Sequence, residues 1–139
     1  MAIGFIGLGN LGQAITKRLT DMNEEVIVYN RTKDKVKDLG FEVVDTPKDL
    51  TARCDTIFMC LFDSKAVKNI FNDKDGLLST NLIGKTIIDL TTNHYEDVLD
   101  FHKLVHENGG SYLESPIFGS VAPALQGLVT IVTSGKKEI

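Results

Sequence analysis

The feature that most constrains this chain is Gly7-Leu8-Gly9-Asn10-Leu11-Gly12, set between an apolar run and an amphipathic stretch. Ala2 to Ile6 reads as a buried strand running straight into these glycines. From Asn10 to Met22 the apolar residues Leu11, Ile15, Leu19 and Met22 recur at helical spacing. A GxGxxG string alone carries little weight. After a strand, at the start of a helix and inside a βαβ unit, it predicts a turn shaped for a pyrophosphate. Gly7 permits the tight turn, Gly9 leaves room for phosphate against the backbone, and Gly12 lets helix and strand pack closely. Leu8, Asn10 and Leu11 belong to the same site, because the first N–H groups of a helix have no internal partner and sit at its positive end. The competing reading is a glycine-rich turn with no ligand.

The rest of the chain repeats the alternation. Glu25 to Tyr29 reads as a second strand, Thr32 to Leu39 as a short helix with Thr32 as its cap, and Glu42 to Val44 as a third strand. Thr46-Pro47 opens a small helix, since proline suits a first helical turn. Thr56 to Leu61 is a strand apolar on both faces. Asp63 or Ser64 caps a helix reaching about Phe71, with a loop from Asn72 to Gly76. Thr86 to Leu90, a helix from Tyr95 to Glu107, Ser111 to Glu114 and a seventh strand at Leu128 to Thr133 complete the pattern. Such alternation predicts a doubly wound, mainly parallel α/β sheet covered on both faces: three layers and one domain over residues 1–139.

Composition excludes several classes. The net charge of -4 gives no broad nucleic-acid-binding face, and no apolar run is long enough for a membrane helix. Cys54 and Cys60 form no CxxC and join no His cluster, so neither a disulfide scaffold nor a metal site is expected. A reducing, cytoplasmic setting follows from that usage. His102 and His106 share a helix face, and with His94 they read as surface or packing residues.

The tip of the second strand bears on the ligand. Where a carboxylate normally bonds a ribose 2′-hydroxyl, the sequence has Tyr29-Asn30-Arg31-Thr32. A neutral amide, a guanidinium and a hydroxyl suit a 2′-phosphate, with Lys33 and Lys35 adding field. NADP(H) is therefore expected ahead of NAD(H). An exposed loop arginine without a ligand is the alternative.

Several motifs in order resemble the β-hydroxyacid dehydrogenase family across essentially the whole chain. They are Gly4 to Gly12, Tyr29 to Thr32, Asp89-Leu90-Thr91-Thr92, and Tyr112 to Ser120 followed by Pro123-Ala124. The family includes 3-hydroxyisobutyrate dehydrogenases, glyoxylate/succinic semialdehyde reductases and the nucleotide domain of 6-phosphogluconate dehydrogenase. The resemblance implies an oxidoreductase passing hydride between nicotinamide and a small hydroxy acid or aldehyde. It sets Leu61, Phe62 and Asp63 along the cofactor and Thr92 beside the nicotinamide. Thr91 positions substrate, together with Phe118, Gly119 and Ser120. It also implies that this is an N-terminal part. The general-acid lysine and the helical, dimer-forming domain would lie beyond Ile139, and Lys136 and Lys137 sit too early to match that lysine. The chain alone is expected to bind cofactor as a monomer and turn over poorly, within a homo-oligomeric parent.

Two positions depart from the family. Tyr95 replaces its usual proline, and Phe118 replaces a small hydroxyl donor where carboxylate recognition is expected. Phe118 is either a substrate-side aromatic or a packing residue. Asp89 reads as a structural residue that orients Thr91 or a helix N-terminus. An imine reductase cofactor domain and a stand-alone nucleotide-binding or redox-sensing module without catalysis are the alternatives.

Overall fold

The computed structural model describes residues 2–138. Its main sheet holds β1 (Ile3–Ile6), β2 (Val26–Tyr29), β3 (Glu42–Val43), β4 (Thr56–Met59), β5 (Thr86–Asp89) and β6 (Ser111–Glu114). The spatial order is β3-β2-β1-β4-β5-β6, and every neighbouring pair is parallel. The helices are α1 (Asn10–Asp21), α2 (Pro47–Arg53), α3 (Ser64–Asn72), α4 (Tyr95–Glu107) and α5 (Val121–Gln126). The sheet is doubly wound, and the winding reverses between β1 and β4. At such a reversal the loops leaving two adjacent strands go opposite ways and open a crevice at their carboxyl ends.

Alternation along each strand sorts the core into two layers. Ile6, Ile27, Ile57, Met59 and Ile87 face one way, packed against Leu50 of α2, Val67 and Phe71 of α3, and Phe101 and Val105 of α4. Phe5, Val26 and Val28 face the other way, with Ile15 and Leu19 of α1 beside them. Both faces are covered, which is why the central strands β1, β2 and β4 are almost wholly apolar. Local signals fix the helix starts. Thr46 accepts a hydrogen bond from the Asp49 amide with Pro47 in the first turn, and Asp63 accepts from the Ala66 amide.

Two expectations need correction. The helix expected over Thr32 to Leu39 is a single 3-10 turn at Lys33–Lys35, and the Thr32 side chain caps nothing. Of that stretch only Val36 is buried. A segment with one apolar anchor among charges has no stripe to hold a helix against a core. The seventh strand expected at Leu128 to Thr133 does not join the main sheet. Thr130–Ile131 forms the short strand β8, antiparallel to β7 (Ile117–Phe118) in a separate two-stranded sheet. Between them α5 ends on Gly127 in the left-handed conformation (φ 72°), which turns the chain back. The spacing around Pro123 gave no sign of α5.

Candidate dinucleotide-binding site

The crevice at the β1/β4 reversal is a cleft of about 840 Å³. Gly7 to Gly12 form one wall, Tyr29 to Thr32 with Lys35 form one end, and Cys60 to Phe62 form the opposite wall. Gly7 adopts φ 94°, and a Cβ there would meet the Cys60 carbonyl oxygen at 2.3 Å. A Cβ on Gly12 would meet the Gly7 carbonyl oxygen at 2.1 Å. Gly9 differs: a Cβ there meets nothing within 4 Å, so this glycine opens onto the cleft.

Helix α1 begins at this opening without the usual devices that satisfy a helix start. Gly9 is its N-cap and offers no side-chain acceptor, and the first turn contains no acidic residue. Gln13 makes the first helical hydrogen bond, to the Gly9 carbonyl. The amides before it point out of the helix at its positive end, an arrangement that accommodates a phosphate.

Asn30 contributes by bracing the turn. Its Oδ1 accepts from the Leu8 amide at 2.9 Å and its Nδ2 donates to the Thr32 carbonyl at 2.9 Å. One side chain therefore ties the tip of β2 to the glycine turn and shapes the loop that carries Arg31. Arg31 and Lys35 both line the cleft, and neither is ion-paired among the described residues. Lys33, expected to add field here, is turned away into an ion pair with Asp45.

Other expected residues are distributed unevenly. Leu61 and Phe62 line the cleft, and the Phe62 ring is 94% exposed at its mouth. The Asp63 carboxylate is used in capping α3 and does not line the cleft. Thr91, Thr92, Phe118, Gly119 and Ser120 lie outside it. Thr91 is 2% exposed, and its hydroxyl accepts from the Leu61 amide at 3.0 Å. Thr92 is exposed, and so is Phe118 on β7, at 61%. Ala66, Asn69, Ile70, Asn72 and Asp73 line the cleft and were missed in the sequence. Ala66 and Ile70, one helical turn apart after the doubly apolar β4, were the available signal.

Cys60 lines the cleft as a free thiol, and Cys54 is free and buried. Burial, with the Asp89 charge second, pushes the Cys60 thiol up to about 11. The sign is that of an acid held protonated by the fold. Its favourable contribution is present below the usual thiol value and is lost as pH rises toward 11. At pH 8 about one Cys60 in 10³ is thiolate, against roughly a quarter of free cysteines. Iodoacetamide labelling followed by mass spectrometry should find Cys60 at least about 30-fold slower than free cysteine. Labelling at the free-cysteine rate would contradict the burial of this wall.

Among the described residues no helix is long and apolar enough to cross a membrane, and no group of three or more His, Cys, Asp or Glu is placed to hold a metal.

Strand order and glycine turn together define a nucleotide-binding α/β domain of the kind found in dehydrogenases and reductases. Residues 2–139 match the family model described as the NAD binding domain of 6-phosphogluconate dehydrogenase, and the chain belongs to that family. It is 35% identical to a solved structure described as Psf3 in complex with NADP+ and 2-OPP, with a TM-score of 0.93 over 98% of this chain and 49% of that one. A Mycobacterium tuberculosis 3-hydroxyisobutyrate dehydrogenase shares the fold at a TM-score of 0.90 and 21% identity, over 99% of this chain and 47% of that one. The protein named Cytokine-like nuclear factor N-PAC is 34% identical in Anopheles gambiae, over 99% of this chain and 25% of that one. In Homo sapiens it is 32% identical over 97% of this chain and 25% of that one. The chain thus spans about half of the solved relatives and a quarter of the curated ones.

Proposed function

We propose that this chain binds NADP(H) in preference to NAD(H) and forms the cofactor half of a reductase or dehydrogenase acting on a small hydroxy acid or aldehyde. The observation that carries the reading is the pairing of two features in one cleft. Gly9 leaves the start of α1 uncapped and open, and Arg31 lines the cleft at the β2 tip in no ion pair among the described residues. The pyrophosphate would rest on the amides of Gly9, Asn10, Leu11 and Gly12, with Leu8 already engaged by Asn30. The 2′-phosphate would take Arg31, the Thr32 hydroxyl and Lys35. Ala66, Asn69 and Ile70 would flank the adenosine, and Leu61 and Phe62 the ribose. The nicotinamide supplies hydride chemistry when bound. Residues of this chain hold it and exclude water from one side. Thr92, Phe118, Gly119 and Ser120 would border the substrate, with Thr91 acting as a positioning residue. Asp63 would act through α3, by capping it. That a relative 35% identical is described with NADP+, and an Aspergillus terreus reductive aminase with NADPH, supports the 2′-phosphate reading. Two free cysteines fit a reducing, cytoplasmic setting. The parent protein would be a homo-oligomer, with this part monomeric alone.

A second reading, a nucleotide-binding module without catalysis, is favoured by one observation. A relative 34% identical in Anopheles gambiae is named for a nuclear factor rather than for an enzyme. Activity with short aldehydes or 2-oxo acids in the longer protein separates the two readings.

Paired calorimetric titration with NADPH and NADH tests the cofactor reading. NADPH should bind more tightly. Arg31→Ala should weaken NADPH by about 1.5–3 kcal/mol, the scale of hydrogen bonds to charged groups, and leave NADH nearly unchanged. Tighter NADH binding by the native chain would overturn the Arg31 argument.

A further inference from the structure

Beyond the glycine turn, the carboxyl edge of the sheet is laced together by side chains that the proposed binding groups do not include. Asp89, at the end of β5, is fully buried. Its Oδ1 accepts from the Thr91 amide at 2.9 Å, and its Oδ2 accepts from Asn93 Nδ2 at 2.9 Å and from the Tyr112 hydroxyl at 2.7 Å. Tyr112 comes from β6, with its ring fixed among Phe71, Phe101 and His102. Thr91, so anchored, accepts the Leu61 amide at 3.0 Å. The β4–β5 ladder aligns Met59 with Asp89, so two residues further on Leu61 runs beside Thr91. There a threonine oxygen takes over the role that backbone pairing plays within the strands. Leu61 in turn abuts the glycine turn, its Cδ2 lying 2.7 Å from where a Gly7 Cβ would be.

A buried carboxylate is costly unless fully hydrogen-bonded, and a surface loop could be held more simply. Two of the donors on Asp89 belong to the segment from Thr91 to Asn93, and that segment reaches the cleft wall through the bond between Thr91 and the Leu61 amide. We infer that Asp89, buttressed by Tyr112, is a positioning residue for the cofactor cleft: through Thr91 it sets the Leu61 wall at the distance the glycine turn requires. The inference rests on the cleft being the dinucleotide site. It also gives Thr91 a role exercised through Leu61 rather than by touching a ligand.

The test uses the 139-residue chain and four variants, Thr91→Val, Thr91→Ser, Tyr112→Phe and Asp89→Asn, each with its melting temperature recorded. The Leu61 amide, followed by hydrogen exchange in NMR without nucleotide, should exchange at least about fivefold faster in Thr91→Val, the scale of one lost hydrogen bond. Thr91→Ser should restore protection to within about twofold, because it keeps the oxygen. NADPH dissociation constants should follow the same order, with Tyr112→Phe and Asp89→Asn raised by about threefold or more. A purely structural role would instead lower the melting temperature alike in Thr91→Val and Thr91→Ser, with Leu61 exchange tracking global unfolding, and that would overturn the inference. Unchanged Leu61 exchange in Thr91→Val would overturn it equally. If the unmodified chain takes up neither NADPH nor NADH, the cofactor reading fails, and Leu61 exchange still decides the brace separately.

Discussion

Gly12→Ala is expected to lower stability by about 3 kcal/mol or more and to abolish dinucleotide binding. The cause is backbone against backbone. The new carbon would lie 2.1 Å from the Gly7 carbonyl oxygen, with the Phe5 ring at 3.4 Å closing the other side. Neither neighbour is a flexible side-chain tip, so α1 must back away from β1. That movement would open the layer in which Ile15 and Leu19 pack near Phe5. For a domain of this size the melting temperature should fall by roughly 10 °C. Thermal unfolding by circular dichroism checks the value, and a fall of less than about 1 kcal/mol would show that the helix and strand are not packed this closely.

Gly9→Ala should do the opposite: keep the fold and lose the ligand. Gly9 has φ −67° and ψ −175°, a conformation any residue adopts, and its added methyl group meets no protein atom within 4 Å. Stability should change by no more than about 0.5 kcal/mol. The methyl group would, however, occupy the space at the open end of α1, where phosphate oxygens must approach the amides. NADPH affinity should drop at least about tenfold, or 1.4 kcal/mol, and NADH affinity with it, because both carry the pyrophosphate. This separates Gly9 from Arg31, whose loss should affect NADPH alone. An alanine at position 9 that binds both cofactors normally would mean that no phosphate lies against this turn.

The contrast between these two glycines also shows what could be read in the sequence. GxGxxG after an apolar run specified the turn, and the alternation of doubly apolar strands with amphipathic helices specified a two-faced parallel sheet, because both signals are local and periodic. Thr46-Pro47 and Asp63 marked helix starts for the same reason. Long-range chemistry was hidden. Nothing near Asn30 in sequence shows that its amide spans 22 positions to the Leu8 N–H, or that Tyr112 reaches Asp89 across 23. The helix expected at Thr32 to Leu39 does not form because helical spacing holds only where a face is buried, and here only Val36 faces a core. The stretch from Leu128 to Thr133 has the composition of a main-sheet strand without being one. In three dimensions Thr130–Ile131 pairs with the short Ile117–Phe118 strand across α5, and Ser134 beyond it bridges antiparallel to Glu114 of β6.

The most direct test of the central claim is an amide chemical-shift titration of the chain with NADPH. The amides of Gly9, Asn10, Leu11 and Gly12 should shift most, on one binding isotherm shared with the amides of Arg31 and Thr32, because one ligand fills one site. The Leu8 amide, already bonded to Asn30, should move less. Saturable shifts confined to other surfaces, or none with either nicotinamide cofactor at millimolar concentration, would contradict the account.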